Sequence, residues 1–202
     1  MNISTQNAPE QLIEKALSLS RYARRLTESD TTALDRLCAT LFIPWDAAAM
    51  QAILDGCASD DEAALKKALR VLRKQVMLRL IVRDLAGLAD LREVMSTATL
   101  LAEVTTRFAL SRIDGWMRSQ YGPPVGEESG AEQDLVVVGM GKLGGGELNV
   151  SSDIDLIFAY PEEGETTGPR KTSNHEYFAL LGKKLIGALN EATPDGFVFR
   201  VD

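Results

Sequence analysis

Residues 145–152, eight in number, are all that separate Gly144 from Asp153, and this spacing constrains the second half of the chain more than any other feature. Upstream lies "VVVGMGKLGG" (136–145), in which valines lead into Gly139, Gly141 and Gly144 at G-x-G-x-x-G spacing. In a dinucleotide-binding unit such a loop opens a crossover helix between parallel strands, and that connection takes a dozen or more residues. Eight residues leave room for one helical turn. The acid expected about 20 residues on is also missing, because Asp153 and Asp155 come too early. A P-loop fails as well, since Gly141-Lys142 is followed by Leu143 instead of Ser or Thr.

The short spacing suits a phosphate pocket beside a metal site. "DIDLIFAY" (153–160) reads as a strand, with Asp153 and Asp155 on one face and Ile154 and Leu156 on the other. Two carboxylates about 7 Å apart along a strand can reach a common pair of divalent cations. Cations roughly 3.5–4 Å apart clamp the attacking and leaving oxygens of an in-line phosphoryl displacement. Hard oxygen ligands select Mg²⁺ or Mn²⁺. The preceding glycines let backbone N–H groups approach phosphate oxygens, and Ser151 or Ser152 can add a hydroxyl. In the terminal "FVFRVD", read as a third strand, Val198, Arg200 and Asp202 share the face opposite Phe197, Phe199 and Val201. Paired beside "DIDLIF", it makes Asp202 the third carboxylate of a triad; unpaired, Asp202 is a solvated acid. The sequence stops within that strand, so the chain is expected to be a piece of a longer protein.

The first 121 residues carry a different pattern, rich in Ala, Leu, Arg and Glu and without strand-like alternation. Leu12, Ala16, Leu19 and Ala23 keep helical spacing after Pro9, and Pro44 precedes a helix from about Asp46 to Leu54. Leu65, Leu69, Leu72, Val76 and Leu80 form a core stripe, and the acids at 60–62 suit the positive end of that helix. Arg70, Arg73, Lys74, Arg79 and Arg83 around the stripe read as a solvated face, with a basic groove for a nucleotide or protein as the alternative. A further helix is expected from about Leu88 to Tyr121. Residues 122–134, with two prolines and several glycines, read as a linker or surface loop. Residues 135–202 then form an incomplete domain of strands and one helix, which opens at the Ser173/Glu176 capping box. The fold class is α+β. Trp45 and Trp116 read as packing residues, His175 as a surface residue, and the acidic loop at 162–165 is expected to point away from any phosphate site.

The net charge of −7 argues against general binding to nucleic acid or anionic membrane. Cys38 and Cys57 lie in no C-x-x-C arrangement and the sole histidine is distant, which disfavours a zinc site or disulfide framework. The N-terminus lacks a basic start and an apolar core, and no apolar run approaches the roughly 18 residues of a membrane span. A reduced, cytoplasmic protein is expected.

"GMGKLGGGELNVSSDIDLIFAYPEEGET" resembles the signature of the glutamine synthetase adenylyltransferase family, within the nucleotidyltransferase superfamily built like the DNA polymerase β palm. Leu143-Gly144-Gly145 and Asp153-Ile154-Asp155 match the superfamily pattern, with a shorter spacer. "LRKQVMLRL" and "RDLAGLADL" look like the family's helical region, so the resemblance runs from about residue 60 and is strongest over 135–202. It implies an enzyme with two similar catalytic halves that regulates nitrogen assimilation. One half adds AMP from ATP to a tyrosine of glutamine synthetase, and the other removes it by phosphorolysis, releasing ADP. The segment from Ser173 to Asp202 looks like the N-terminal, adenylyl-removing half. Carried over, Asp153, Asp155 and Asp202 are metal ligands, and Gly144, Gly145, Ser152 and Lys142 contact phosphates. The resemblance also implies a PII-type signalling protein as a partner. The alternatives are a non-catalytic binding module, the ATP-dependent adenylylating activity, or a related nucleotidyltransferase with another acceptor.

Overall fold

The computed structural model describes residues 8–58 and 60–202 as eight helices and four short strands. Residues 1–7, on which the absence of a leader is expected from sequence, lie outside the described residues. Six helices come first: α1 (Pro9–Leu19), α2 (Arg21–Ser29), α3 (Ala33–Thr40), α4 (Ala47–Asp55), α5 (Glu62–Leu85) and α6 (Leu91–Tyr121). The expected continuous helix through Leu19 to Ala23 breaks at Ser20, whose hydroxyl accepts the amide of Ala23 as an N-cap. Leu19 is left exposed. Asp46, Asp61 and Asp90 cap α4, α5 and α6 in the same way, each accepting an amide three residues on.

α5 is the central helix and packs against α1, α2, α3, α4, α6 and α8 (Asn174–Asn190). Its Leu65, Leu69, Leu72 and Val76 join the main core with Leu101 and Phe108 of α6 and with Tyr177, Leu181 and Leu185 of α8. Trp45 and Trp116 pack against this core. The other side of α5 buries Leu78 and Val82 against Ile13, Ala16, Ala23 and Leu37.

This central position overturns the reading of its cations as a solvated face. Arg70, Arg79 and Arg83 are buried. The guanidinium of Arg70 donates to the carbonyls of Gly196 (2.7 Å), Lys66 (2.8 Å), Ala188 (3.1 Å) and Glu191. Arg73 donates to Val198 O (2.7 Å) and the Tyr22 hydroxyl (2.8 Å). Lys74 pairs with Asp195 (2.6 Å) and Lys66 with Glu191 (2.5 Å). Arg83 forks onto Glu93 at 2.6 and 2.9 Å and donates to Leu41 O. A guanidinium offers five donors in a fixed fork, so it satisfies several buried carbonyls at once. Lys66, Arg70, Arg73 and Lys74 fasten the helical layer to the C-terminal segment, whereas Arg83 ties α5 to α6 and to the end of α3.

The strands form two small antiparallel ladders. Residues 122–134, expected as a linker or loop, carry β1 (Pro124–Gly126), which pairs with β4 (Gly164–Thr166). Asn174, fully buried at the start of α8, donates to Val125 O and Glu162 O and ties this ladder down. β2 (Val136–Gly139) pairs with β3 (Leu156–Ala159) in the register Val136↔Ala159 to Gly139↔Leu156. The expected third strand is reduced to one parallel bridge, Ile154↔Val201, because Val198 and Phe199 are both buried and break the alternation. The result is α+β, with a helical layer packed against two small antiparallel ladders.

Candidate functional site

The connection from β2 to β3 is one helical turn, α7 (Gly141–Gly144), followed by irregular chain. No crossover helix intervenes and the strands run antiparallel, which rules out the dinucleotide-binding arrangement. Each glycine of the motif has a packing reason instead. A Cβ on Gly139 would sit 2.7 Å from the Leu143 side chain, and one on Gly144 would sit 2.6 Å from Gly139 O. Gly141 has φ +53°, and a Cβ there would lie 2.7 Å from Asp155 Oδ2. The glycines fold the turn back onto β2 and leave room for the Asp155 carboxylate.

Asp153 and Asp155 are exposed, while Ile154 between them is completely buried, so both carboxylates project from the open face of the sheet. The segment 154–156 is held from both sides. On one side the Met140 amide donates to Asp155 O at 2.9 Å. On the other, Ile154 N donates to Arg200 O (2.9 Å), Asp202 N to Ile154 O (3.0 Å) and Leu156 N to Asp202 O (3.1 Å). With Ile154 opposite Val201, Arg200 falls beside Asp153 and Asp202 beside Asp155. Neighbouring strands lie about 4.8 Å apart and alternate residues about 7 Å apart, which sets the spacing of the three acids.

The acids share a face but are not drawn together. Among the described residues no group of three His, Cys, Asp or Glu side chains is gathered closely enough to hold a metal. Asp153 is instead 3.4 Å from the Arg200 guanidinium in an exposed ion pair. Arg200 was assigned to this face from sequence but given no role; its place across from Asp153 follows from opposite charges on adjacent strands. Three exposed carboxylates on adjoining segments nevertheless fit a hard divalent cation in donor chemistry.

The expected phosphate contacts are distributed unevenly. The amides of Gly144 and Gly145 are spent inside the turn, on Met140 O (3.0 Å) and Gly141 O (3.1 Å). The open amides of a helical start belong to Gly141, Lys142 and Leu143. The Lys142 side chain is exposed beside them. Ser152 Oγ accepts the Asn149 amide (3.1 Å), and the Ser151 hydroxyl donates to Asn149 Oδ1 (3.0 Å), so both serines shape the turn before the acids. Behind the sheet, a 410 Å³ cavity lies between α6 and the loop, lined by Thr106, Leu110, Val137, Leu143 and Leu156. The acidic loop leaves the far end of β3, where Glu162 accepts the Ser129 amide and stays remote from the three acids. His175 is exposed, as expected.

The sequence pattern of the glutamate-ammonia ligase adenylyltransferase family matches residues 10–202. This chain belongs to that family. A bifunctional glutamine synthetase adenylyltransferase/adenylyl-removing enzyme of Nitrosomonas eutropha is 50% identical over 99% of the chain, which covers 22% of that relative. The Chromobacterium violaceum protein of the same name is 54% identical over 94% of the chain and 21% of its own length. That of Aromatoleum aromaticum is 46% identical over the whole chain, again 21% of the relative. The chain thus spans about a fifth of these adenylyltransferase relatives. Among the described residues no helix is long and apolar enough to cross a membrane.

Proposed function

We propose that this chain is the catalytic segment of the adenylyl-removing half of such an enzyme, acting on AMP-modified glutamine synthetase with inorganic phosphate as the second substrate. The observation that carries this reading is the placing of Asp153, Asp155 and Asp202 on one open face, beside a tight glycine turn. Asp153, Asp155 and Asp202 would hold Mg²⁺ or Mn²⁺, which supplies charge neutralisation for the phosphoryl oxygens. A phosphate oxygen forms a bond to the AMP phosphorus, the bond to the tyrosyl oxygen breaks, and the electron pair leaves on that oxygen, giving ADP. Phosphate is already an anion, so no general base has to create the nucleophile. The phenol, with a pKa near 10, is a tolerable leaving group once its developing charge is stabilised. Lys142 and the open amides of the α7 turn would orient the incoming phosphate, and Ser152 would hold the turn that presents the acids.

The test is phosphate-dependent ADP release from AMP-modified glutamine synthetase by the full-length protein. Replacing Asp153 and Asp155 together by Asn is expected to abolish it while circular dichroism stays unchanged. Undiminished release from the double variant overturns the reading. The pairing of Asp153 with Arg200 favours, as a second reading, a segment that binds partners without turnover, such as a PII-type signalling protein. Calorimetric titration of Mg²⁺ and ADP into the 202-residue chain separates the two. Heat from both supports the catalytic reading, and no heat from either supports the second.

A further inference from the structure

Arg79 stands apart from the other arginines of α5. It is 6% exposed, and no ion pair within the described residues includes it. Its Nε is buried with no acceptor. The guanidinium carbon lies 3.3 Å from the centre of the Trp45 ring, so the indole covers one face of the cation. The indole Nε1 of Trp45 is likewise buried without a partner. Both side chains line one 390 Å³ cavity between α3, α4 and α5, walled by Leu37, Ile43, Ile53 and Leu78.

The surrounding charges are already engaged. Arg36 on the rim pairs with Asp30. Asp46 caps α4 through the Ala49 amide. Glu93 is held by Arg83. Arg79 is thus a buried cation in no salt bridge, with Asp46 and Glu93 acting on it only from a distance, and burial together with the nearby Arg83 pushes its pKa down to about 10, still protonated at neutral pH. A buried charge and two orphaned donors are each costly, and their coincidence in one cavity marks a place for an acceptor.

We propose that this cavity is a binding site for a carboxylate carried on an apolar body, with the carboxylate on the Arg79 edge and the Trp45 N–H. One unneutralised cation and one neutral donor match a monoanion with two acceptor oxygens. A phosphate dianion would bring a second charge that nothing in the cavity offsets. The volume suits a small ligand, and the aliphatic walls suit its body. The carboxylate belongs either to a free small acid or to an acidic side chain of a protein segment.

The test follows the indole N–H resonances of the ¹⁵N-labelled 202-residue chain, with Trp45 assigned through Trp116→Phe. Butyrate, its neutral isostere butyramide, and a blocked peptide with one central glutamate are titrated at constant ionic strength. A saturable shift of the Trp45 signal with butyrate and none with butyramide supports a site for a free acid. A shift with the peptide alone assigns the carboxylate to a protein side chain. Equal shifts with butyrate and butyramide, or no saturable shift with any probe, overturn the proposal and leave a cavity filled by solvent. Arg79→Gln is expected to weaken binding at least about tenfold. Should that variant fail to fold, Trp45→Phe, which keeps the cation and removes the donor, is expected to weaken binding about threefold or more when read by calorimetry. Unchanged affinity in Trp45→Phe removes the indole from the site and overturns the assignment.

Discussion

The amide of Asp202 donates to the carbonyl of Ile154 at 3.0 Å. That bond sets Asp202 alongside the D-x-D segment, in register with Asp155. Asp202→Asn keeps the backbone bond and removes only the charge. Turnover of the full-length protein is expected to fall by about 100-fold or more, the scale set by losing one electrostatic stabiliser. Thermal stability should stay within about 0.5 kcal/mol, since the side chain is exposed.

Gly141 and Gly144 separate two effects in one loop. Gly144→Ala pushes a Cβ against Gly139 O, a backbone atom 2.6 Å away, and should destabilise by about 1–3 kcal/mol through overpacking. Gly141→Ala forces an alanine to φ +53° and crowds Asp155 Oδ2. It should cost about 1–2 kcal/mol and also weaken Mg²⁺ binding. Denaturant melts paired with Mg²⁺ titrations would tell the two apart.

Arg70→Met removes the donor that ties Ala188, Glu191 and Gly196 to α5 and leaves the buried Ala188 carbonyl short of it, while Gly196 O keeps the Thr193 amide. A loss of about 1–3 kcal/mol is expected, the cost of one orphaned buried acceptor. Lys184→Ala, which removes an exposed pair with Glu62, should cost less than about 1 kcal/mol. Comparable losses in the two variants would contradict the role given to Arg70.

Acid should loosen the contact between α5 and the turn after α8. Hydrogen bonds from Lys74 and Lys66 hold the carboxyls of Asp195 and Glu191 below their ordinary values of 3.8 and 4.5. A lowered folded pKa stabilises fully above the unfolded value and is lost as pH falls through the folded one. The weakening therefore begins near pH 4.5 and grows downward. Amide exchange over 188–198 should accelerate across that window, and the double variant Asp195→Asn, Glu191→Gln should show fast exchange already at neutral pH.

The alternation that exposes Asp153 and Asp155 around Ile154, the capping serine of α8 and the missing crossover helix were all legible, because each depends on neighbours within a few residues. The cations of α5 were misjudged for the opposite reason. The acceptors of Arg70 and Arg73 at Ala188, Glu191, Gly196 and Val198 lie more than a hundred positions away, and a helix stripe gives no sign of them. The run "VMLRLIV" (76–82), apolar on more than one face, was the available hint that α5 is surrounded. The β1–β4 ladder escaped notice because three-residue strands containing Gly and Pro carry no periodicity.

Arg70 and Arg73 have a consequence for how the chain can be divided. They reach from the middle of α5 to the carbonyls of Gly196 and Val198, and only Phe199 to Val201 then remain before the last aspartate. The helices thus act as a splint for that aspartate. A version cut down to the strands and α8 would keep the three acids and the backbone bonds to Ile154 and Leu189, yet lose the two guanidinium props that brace the turn leading to the final one.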